Sequence, residues 1–390
     1  LDAGKPISDT TRVDVPLAIA TYRYFAGWAD KIEGETIPSR FGTFNYTLRE
    51  PLGVVACIVP WNYPLLLASY KVAPALACGN TVVLKPASQT PLSALRLGEL
   101  ALEAGIPPGV LNVVPGPGRI AGEALAGHPL VDKVALTGST TTGARVMAAA
   151  AKNCTRVQLE LGGKSPNIVF ADADLEAASK GATFGIFANK GEICTAGSRL
   201  FVESKIHDDF LAKVIERTGK LRQGNPLDPK TRLGPQISKE QRESVLRYIE
   251  VGKKEGAKLV AGGAPPEDLP RGYFVRPTIF DGVSNEMTIA REEIFGPVLS
   301  VIRFDSFEDL IRKANETVYG LAAGVWTHDV KKAHRAARLL QAGTVWVNTY
   351  NLYDPSTPFG GYKRSGFGRE LGSAAIDEYT HRKSIWIDLG

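Results

Sequence analysis

The chain has little of what disulfide-stapled, metal-binding or membrane proteins are built from. Its 390 residues include four cysteines, Cys57, Cys78, Cys154 and Cys194. None sits in a CxxC pair and no histidine stands at a ligand spacing from any of them, so no zinc motif is present. Cys57 and Cys78 lie in the apolar runs GVVACIVP and APALACGN, where a thiol packs as a small hydrophobe. No apolar run reaches the ~18 residues that a membrane-spanning helix needs. Reduced thiols and the lack of a signal-peptide pattern place the protein in the cytoplasm as an expectation. The net charge is +5, but the longest basic clusters are pairs such as Lys331-Lys332 and Arg382-Lys383. Phosphate tracking needs a concentrated basic stripe, so nucleic acid is not an expected partner. The five histidines, His128, His207, His328, His334 and His381, belong to no Ser-His-Asp or Cys-His set and read as surface residues. There is no internal repeat and no low-complexity tract.

What is present is a soluble α/β composition, 44% hydrophobic and 22% charged, in a chain long enough for two domains. A helix is expected up to about Ala29, and alternating Phe44, Tyr46 and Leu48 mark a pairing strand. From Val54 onward strand and helix signals alternate: strands at 54–59, 81–85, 110–114 and 133–136, helices at 65–78, 92–104 and from the TGSTTTG turn to Ala151. That order implies parallel βαβ units with both faces of the sheet covered. The region up to about Leu161 reads as an open, doubly wound dinucleotide-type domain. A second α/β series follows, with strands at 167–170, 200–203, 298–304 and 344–348 and helices at 175–187, 239–255 and 307–315. The tail from Lys383 to Leu389 alternates again and suits a terminal edge strand.

Several residues stand where chemistry can occur. Cys194 lies in GEICTAGSR, flanked by small residues that leave the thiol approachable. Glu160, in LELGGKSPN, sits between two leucines, an apolar frame that tunes proton affinity. A free thiol has a pKa of about 8.5, so only a few per cent is thiolate at neutral pH without help from its surroundings. Gly138, Ser139 and Gly143 follow a strand and open a helix, which suits either a phosphate or an N-cap serine. Lys85 ends a strand before Pro86, at the carboxyl edge where nucleotides bind, or is simply a solvated strand end. In PWNYP two prolines fix the backbone around Asn62. That amide can serve a developing oxyanion or close a turn.

Seven motifs together carry a resemblance: PWNYP (60–64), LKPASQTP (84–91), LTGSTTTG (136–143), LELGGKSPN (159–167), GEICTAGSR (191–199), EEIFGPV (292–298) and PFGGYKRSGFGRE (358–370). The whole chain resembles the aldehyde dehydrogenase superfamily of the nonphosphorylating, NAD(P)+-dependent type. The resemblance implies a Rossmann-like cofactor domain (1–32 and 52–161), an α/β catalytic domain (162–371) and a small β oligomerisation segment (33–51 and 372–390). It further implies Cys194 as the nucleophile, Asn62 as oxyanion donor, Glu160 as the base that directs water at a thioester, and Lys164 in a supporting catalytic role. The cofactor, NAD or NADP, is implied to contact Trp61, Lys85, Ser88, Gly138, Ser139, Glu293 and Phe295. The substrate, a small-molecule aldehyde, is implied to meet Tyr63, Tyr70, Tyr353 and Phe359. Tyr63 and Tyr70, read as sharing one helix at i and i+7, would face one way. Such a box suits a quaternary ammonium, as in betaine and aminoaldehyde dehydrogenases, or a generic apolar chain. Family members form dimers and tetramers, so a homodimer or homotetramer is expected.

The sequence departs from the family pattern at three places. Ser88 stands where NAD-preferring members commonly carry Glu, which leaves NADP open. His381 stands in EYTHRKS where many members have an acid. The family's front end is usually longer, which leads to an expectation either of exposed apolar surface near the first helix or of an incomplete cofactor domain. The alternatives to an oxidising enzyme are a fold-retaining protein without turnover, as in lens crystallins of this family, a truncated inactive chain, or a variant that passes the acyl group to coenzyme A.

Overall fold

The computed structural model describes residues 2–390. In chain order the main elements are α1 (Val15–Ala26), β1 (Thr43–Pro51), β2 (Val54–Ile58), α2 (Pro64–Ala77), β3 (Thr81–Lys85), α3 (Leu92–Glu103), β4 (Leu111–Val113), β5 (Lys133–Thr137), α4 (Thr140–Ala150) and β6 (Arg156–Glu160). They continue with β7 (Pro166–Val169), α5 (Leu175–Phe187), β8 (Arg199–Glu203), α6 (His207–Gly219), α7 (Lys239–Lys254), β9 (Lys258–Ala261), β10 (Thr278–Asp281) and β11 (Val298–Phe304). The last are α8 (Phe307–Asn315), β12 (Ala322–Trp326), α9 (Val330–Leu339), β13 (Thr344–Val347) and β14 (Thr380–Asp388). The chain divides into two compact units. One holds residues up to Arg12, Leu161–Tyr353 and Gly360–Phe367, the other Val13–Glu160, Asp354–Phe359 and Gly368–Gly390.

In the unit that contains Val13–Glu160, parallel strands lie in the order β6-β5-β2-β3-β4. The chain winds outward from β2 in one direction through β3 and β4, then in the other through β5 and β6. That reversal is the switch point at which open α/β sheets hold ligands beyond their carboxyl ends. The register keeps those ends level, with Ile58 opposite both Lys85 and Leu136, and Thr137 opposite Glu160. Continuous burial of Val55 to Ile58 and of Lys133 to Thr137 is what a sheet covered on both faces requires. The same unit carries an antiparallel sheet in which β14 pairs along β1 from Thr380 opposite Pro51 to Asp388 opposite Thr43, with the short strand Thr36–Ile37 on the far side.

The other unit is built on a seven-stranded sheet in the order β9-β10-β11-β8-β7-β12-β13. Only the β9–β10 pairing is antiparallel. Ile168, Phe201, Phe280, Val298, Ile302 and Val325 from its strands pack with Val245 and Ile249 of α7 and Leu310 of α8 into one core.

The architecture is the α/β fold the sequence implies, with local departures. The expected first helix begins instead with a short turn at Ile7–Asp9 and a π-type turn at Thr10–Asp14, before α1. Pro16, at the start of α1, cannot donate to the preceding turn, so the ladder loosens there. Val13, Val15 and Ile19 along this stretch are exposed. Among the described residues no helix is long and apolar enough to cross a membrane.

Candidate active site

In the Val13–Glu160 unit, candidate positions from the sequence stand at or just beyond the carboxyl ends of neighbouring strands. Asn62, buried, lies in the turn after β2. Trp61 and Tyr63 on either side are half-buried. Lys85 is the last residue of β3. It is 3% exposed, and its Nζ donates to the Pro86 carbonyl at 2.7 Å. Burial holds its pKa below the usual lysine range. Gly138 and Ser139 follow β5. Ser139 is the N-cap of α4, its Oγ accepting from the Thr142 amide at 3.2 Å. Ser139 therefore caps the helix. Ser88 is exposed and donates to the Gly116 carbonyl at 3.1 Å.

Glu160 ends β6, and its carbonyl accepts from the Gly138 amide at 3.0 Å. The side chain is 3% exposed, and neither carboxyl oxygen has a hydrogen-bond partner among the described residues. Burial, and then the negative charge of Glu370, push its pKa well above the ordinary carboxyl range, while Lys71 pulls the other way. Lys71 and Glu370 themselves form a fully buried ion pair. This pair was not singled out in the sequence, although Lys71 is visibly a lone charge in the apolar run LLLASYKVAPALA. Its partner lies 299 positions away, which no local pattern reveals.

The aromatic positions do not share one helix face. Tyr63 is the residue before α2, with φ −137° and ψ 63°. Tyr70, buried, is within it. Pro64 opens the helix, and a residue before proline is steered away from helical angles. The i, i+7 reading is therefore overturned. Phe359 is buried and exchanges backbone hydrogen bonds with Glu370, both at 2.7 Å.

In the other unit, Cys194 sits after a short kinked turn, Ala188–Gly191, that follows α5, and it is partly exposed. Two glycines bring LELGGKSPN against it. A Cβ at Gly163 would overlap the Cys194 carbonyl, and one at Gly162 would overlap the Glu293 carboxyl. The Gly163 amide donates to Glu293 Oε1 at 3.1 Å. Desolvation raises the Glu293 pKa to about 7. Phe295, two residues on, adopts a left-handed φ of 54° and is held through its carbonyl by Gln241 Nε2 at 2.7 Å. Lys164 is 1% exposed, and its Nζ has no hydrogen-bond partner among the described residues. Burial first, then the nearby Arg199, lower its pKa to about 7.

Thr195, next to the thiol, donates through Oγ1 to Asn351 Oδ1 at 2.9 Å and shares a hydrogen bond with the Tyr353 hydroxyl at 2.7 Å. Its carbonyl accepts from the Tyr350 hydroxyl at 2.9 Å. The structure thus joins Cys194, Lys164, Glu293, Phe295 and Tyr353 within this unit. Asn62, Lys85, Ser139 and Glu160 gather at the sheet edge of the other unit.

One expectation about histidine fails here. His207 is fully buried, with Nδ1 2.8 Å from Asp208 and Nε2 2.9 Å from Asp281. The run IHDD looks like a solvated surface, but Asp281 arrives from β10, far along the chain.

The model of the aldehyde dehydrogenase family matches residues 1–385. The chain belongs to the aldehyde dehydrogenase family. It is 53% identical over 390 residues to the aldehyde dehydrogenase, cytosolic 1, of Mus musculus, covering all of this chain and 77% of the mouse protein. It is similar to an aldehyde dehydrogenase from Bacillus cereus solved as an NAD+ complex, with a TM-score of 0.98 and 52% identity over all of this chain and 79% of that one. It is equally similar, at a TM-score of 0.98 and 53% identity over all of this chain and 79% of that one, to P. syringae AldA, an indole-3-acetaldehyde dehydrogenase solved with NAD+ and IAA. Within this aldehyde dehydrogenase, the paired glycines of LELGGKSPN acquire a physical reason: each admits a group that any side chain would displace.

Proposed function

We propose that this aldehyde dehydrogenase oxidises an aldehyde to a carboxylate with NAD+ as acceptor, by way of a covalent bond to Cys194. The observation that carries this reading is the set of Asn62, Lys85, Ser139 and Glu160 at level carboxyl ends of one parallel sheet. The residues present fit the dinucleotide that relatives bind. A lysine at a strand end, an 11-residue helix opening behind Gly138 and Ser139 and the Glu293 carboxyl supply donors for phosphate and acceptors for ribose hydroxyls. Trp61, Ser88 and Phe295 complete the assigned cofactor side. The bound cofactor supplies an acceptor for the aldehyde hydrogen as hydride.

The chain's own residues do the rest. The Cys194 thiolate adds to the aldehyde carbon, forming a C–S bond and an alkoxide that Asn62 stabilises by donating from its amide. Loss of the hydride leaves a thioester. Glu160, once deprotonated, takes a proton from water, and the resulting hydroxide displaces the thiolate to give the carboxylic acid. Tyr353, whose hydroxyl bonds with Thr195 and Asn351, is assigned to the aldehyde, as are Tyr63, Tyr70 and Phe359. Lys164 takes a supporting catalytic role. The protein is proposed to act in the cytoplasm, as the mouse relative's name says of that protein, and as a homodimer or homotetramer.

The test is formation of reduced cofactor across a panel of aldehydes with NAD+ and NADP+, with betaine aldehyde compared against hexanal to read the aromatic lining. Reduced cofactor should appear with NAD+ and disappear in Cys194→Ala. No reduced cofactor with any aldehyde overturns the reading.

A further inference from the structure

Between the end of α5 and Cys194 the chain passes through Asn189, Lys190 and Gly191, with φ of 44°, 55° and 77°. Two consecutive non-glycine residues in the left-handed region persist only where their surroundings over-determine them. Here the surroundings are a buried polar clamp. Lys190 and Glu192, 2% and 0% exposed, form an ion pair at 3.1 Å. Lys190 Nζ also donates to the Ala3 carbonyl at 2.6 Å. Glu192 Oε1 accepts from the Ile237 amide at 3.0 Å, and Gln236 Nε2 donates to the Lys190 carbonyl at 3.3 Å. Inside the turn, the Glu192 amide donates to the Asn189 carbonyl at 3.0 Å, and Asn189 Nδ2 returns to the Glu192 carbonyl at 3.2 Å. A Cβ at Gly191 would overlap the Gly296 carbonyl, so the turn also presses on the loop that bears Glu293 and Phe295.

A buried ion pair adds little net stability over an apolar pair of the same volume. What it provides, together with the bonds to the Ile237 amide and the Ala3 carbonyl, is one defined arrangement, because any other leaves a buried polar group unmatched. Only Ile193 separates this clamp from Cys194, and no strand ladder holds the turn. We propose that Glu192, held by Lys190, is a positioning residue that fixes the backbone from which the Cys194 thiol is presented. The proposal rests on the reading of Cys194 as the nucleophile.

The experiment measures the rate of the first-turnover burst of reduced cofactor, the KM for NAD+ and thermal unfolding. Wild type and Cys194→Ala come first: no reduced cofactor from wild type, or reduced cofactor still formed by Cys194→Ala, defeats the nucleophile reading itself, whatever Glu192 does. With that reading intact, a folded Glu192→Ala enzyme should show a burst slowed about 10- to 100-fold, the usual effect of misplacing a reacting group by an ångström or less. Its KM for NAD+ should stay near wild type. Glu192→Gln still accepts from the Ile237 amide and should recover most of the rate. Lys190→Met with Glu192→Met removes the pair without an orphan charge and should show the same slow burst. A wild-type burst rate in a folded Glu192→Ala or double-Met enzyme overturns the proposal, as does a Glu192→Gln enzyme as slow as Glu192→Ala. Failure of both Glu192→Ala and the double variant to fold also overturns it, since Glu192 would then serve the fold alone.

Discussion

Glu160 combines two properties that oppose each other. It is buried without a hydrogen-bond partner, which suits a base that must take a proton from water. Yet burial and Glu370 raise its pKa, which favours the protonated form. A protonated acid cannot act, so the hydrolytic step should accelerate as pH rises through that raised pKa, well above the ~4.3 of an ordinary Glu. The stability consequence has the same origin. A carboxyl whose folded pKa exceeds its unfolded one makes the native state bind its proton more tightly, so its contribution favours folding at low pH and is lost as pH rises through the folded value. We predict that Glu160→Gln slows thioester hydrolysis ~10²–10⁴-fold while the burst of reduced cofactor survives. Rapid-quench measurement of the two steps checks this, and loss of the burst would rule out a purely hydrolytic role. Asn62→Ala should lower turnover ~10²–10³-fold, the usual loss for one oxyanion donor, and a near-wild-type rate would remove Asn62 from that role. Ser88 presents no negative charge to a 2′-phosphate, so kcat/KM with NADP+ should fall within about tenfold of that with NAD+, a difference of roughly 1.4 kcal/mol. A stronger NAD+ preference would show that other groups exclude the phosphate.

At the scale of elements, the strand and helix order was readable from the alternation of apolar runs, because a sheet covered on both faces needs them. Cys57 and Cys78, read as core residues, are buried. What local pattern could not supply were the contacts made across long stretches of chain. His207 looked exposed because its neighbours are polar; Asp281 encloses it. Lys71 gives no local sign of its partner because Glu370 is 299 positions away in sequence. The glycines of LELGGKSPN were legible as a signature, but their cause is the carbonyl of Cys194 and the carboxyl of Glu293 arriving from two other loops. That cause makes a prediction about the turn between β6 and β7. Gly163→Ala should push the Cys194 segment away, cost roughly 1–3 kcal/mol as overpacking in a close-packed interior does, and slow the burst. Differential scanning calorimetry and burst kinetics read the two effects separately, and unchanged values in both would mean that the loop yields freely.

At the scale of the whole molecule, the question is what β14 does with its outer edge. It pairs along β1 over its full length, and no strand lies on its other side among the described residues. Phe41, Phe44 and Leu48 near or on β1, and Trp386, Ile387 and Leu389 on or after β14, are all exposed. A long edge left open to water, apolar in its Ile385–Ile387 part, invites pairing with another chain, and exposed aromatics and aliphatics mark an interaction surface. We propose a second copy of this chain as the occupant, which the alternation of both strands in the sequence also suits. We predict that the protein elutes above the size of one 390-residue chain and that Trp386→Lys shifts it toward the monomer, because a lysine on an edge strand opposes pairing. Analytical ultracentrifugation of both proteins decides the matter. A wild-type monomer would mean that this edge is tolerated alone. A Trp386→Lys protein of unchanged size would place the contact between copies elsewhere on the surface.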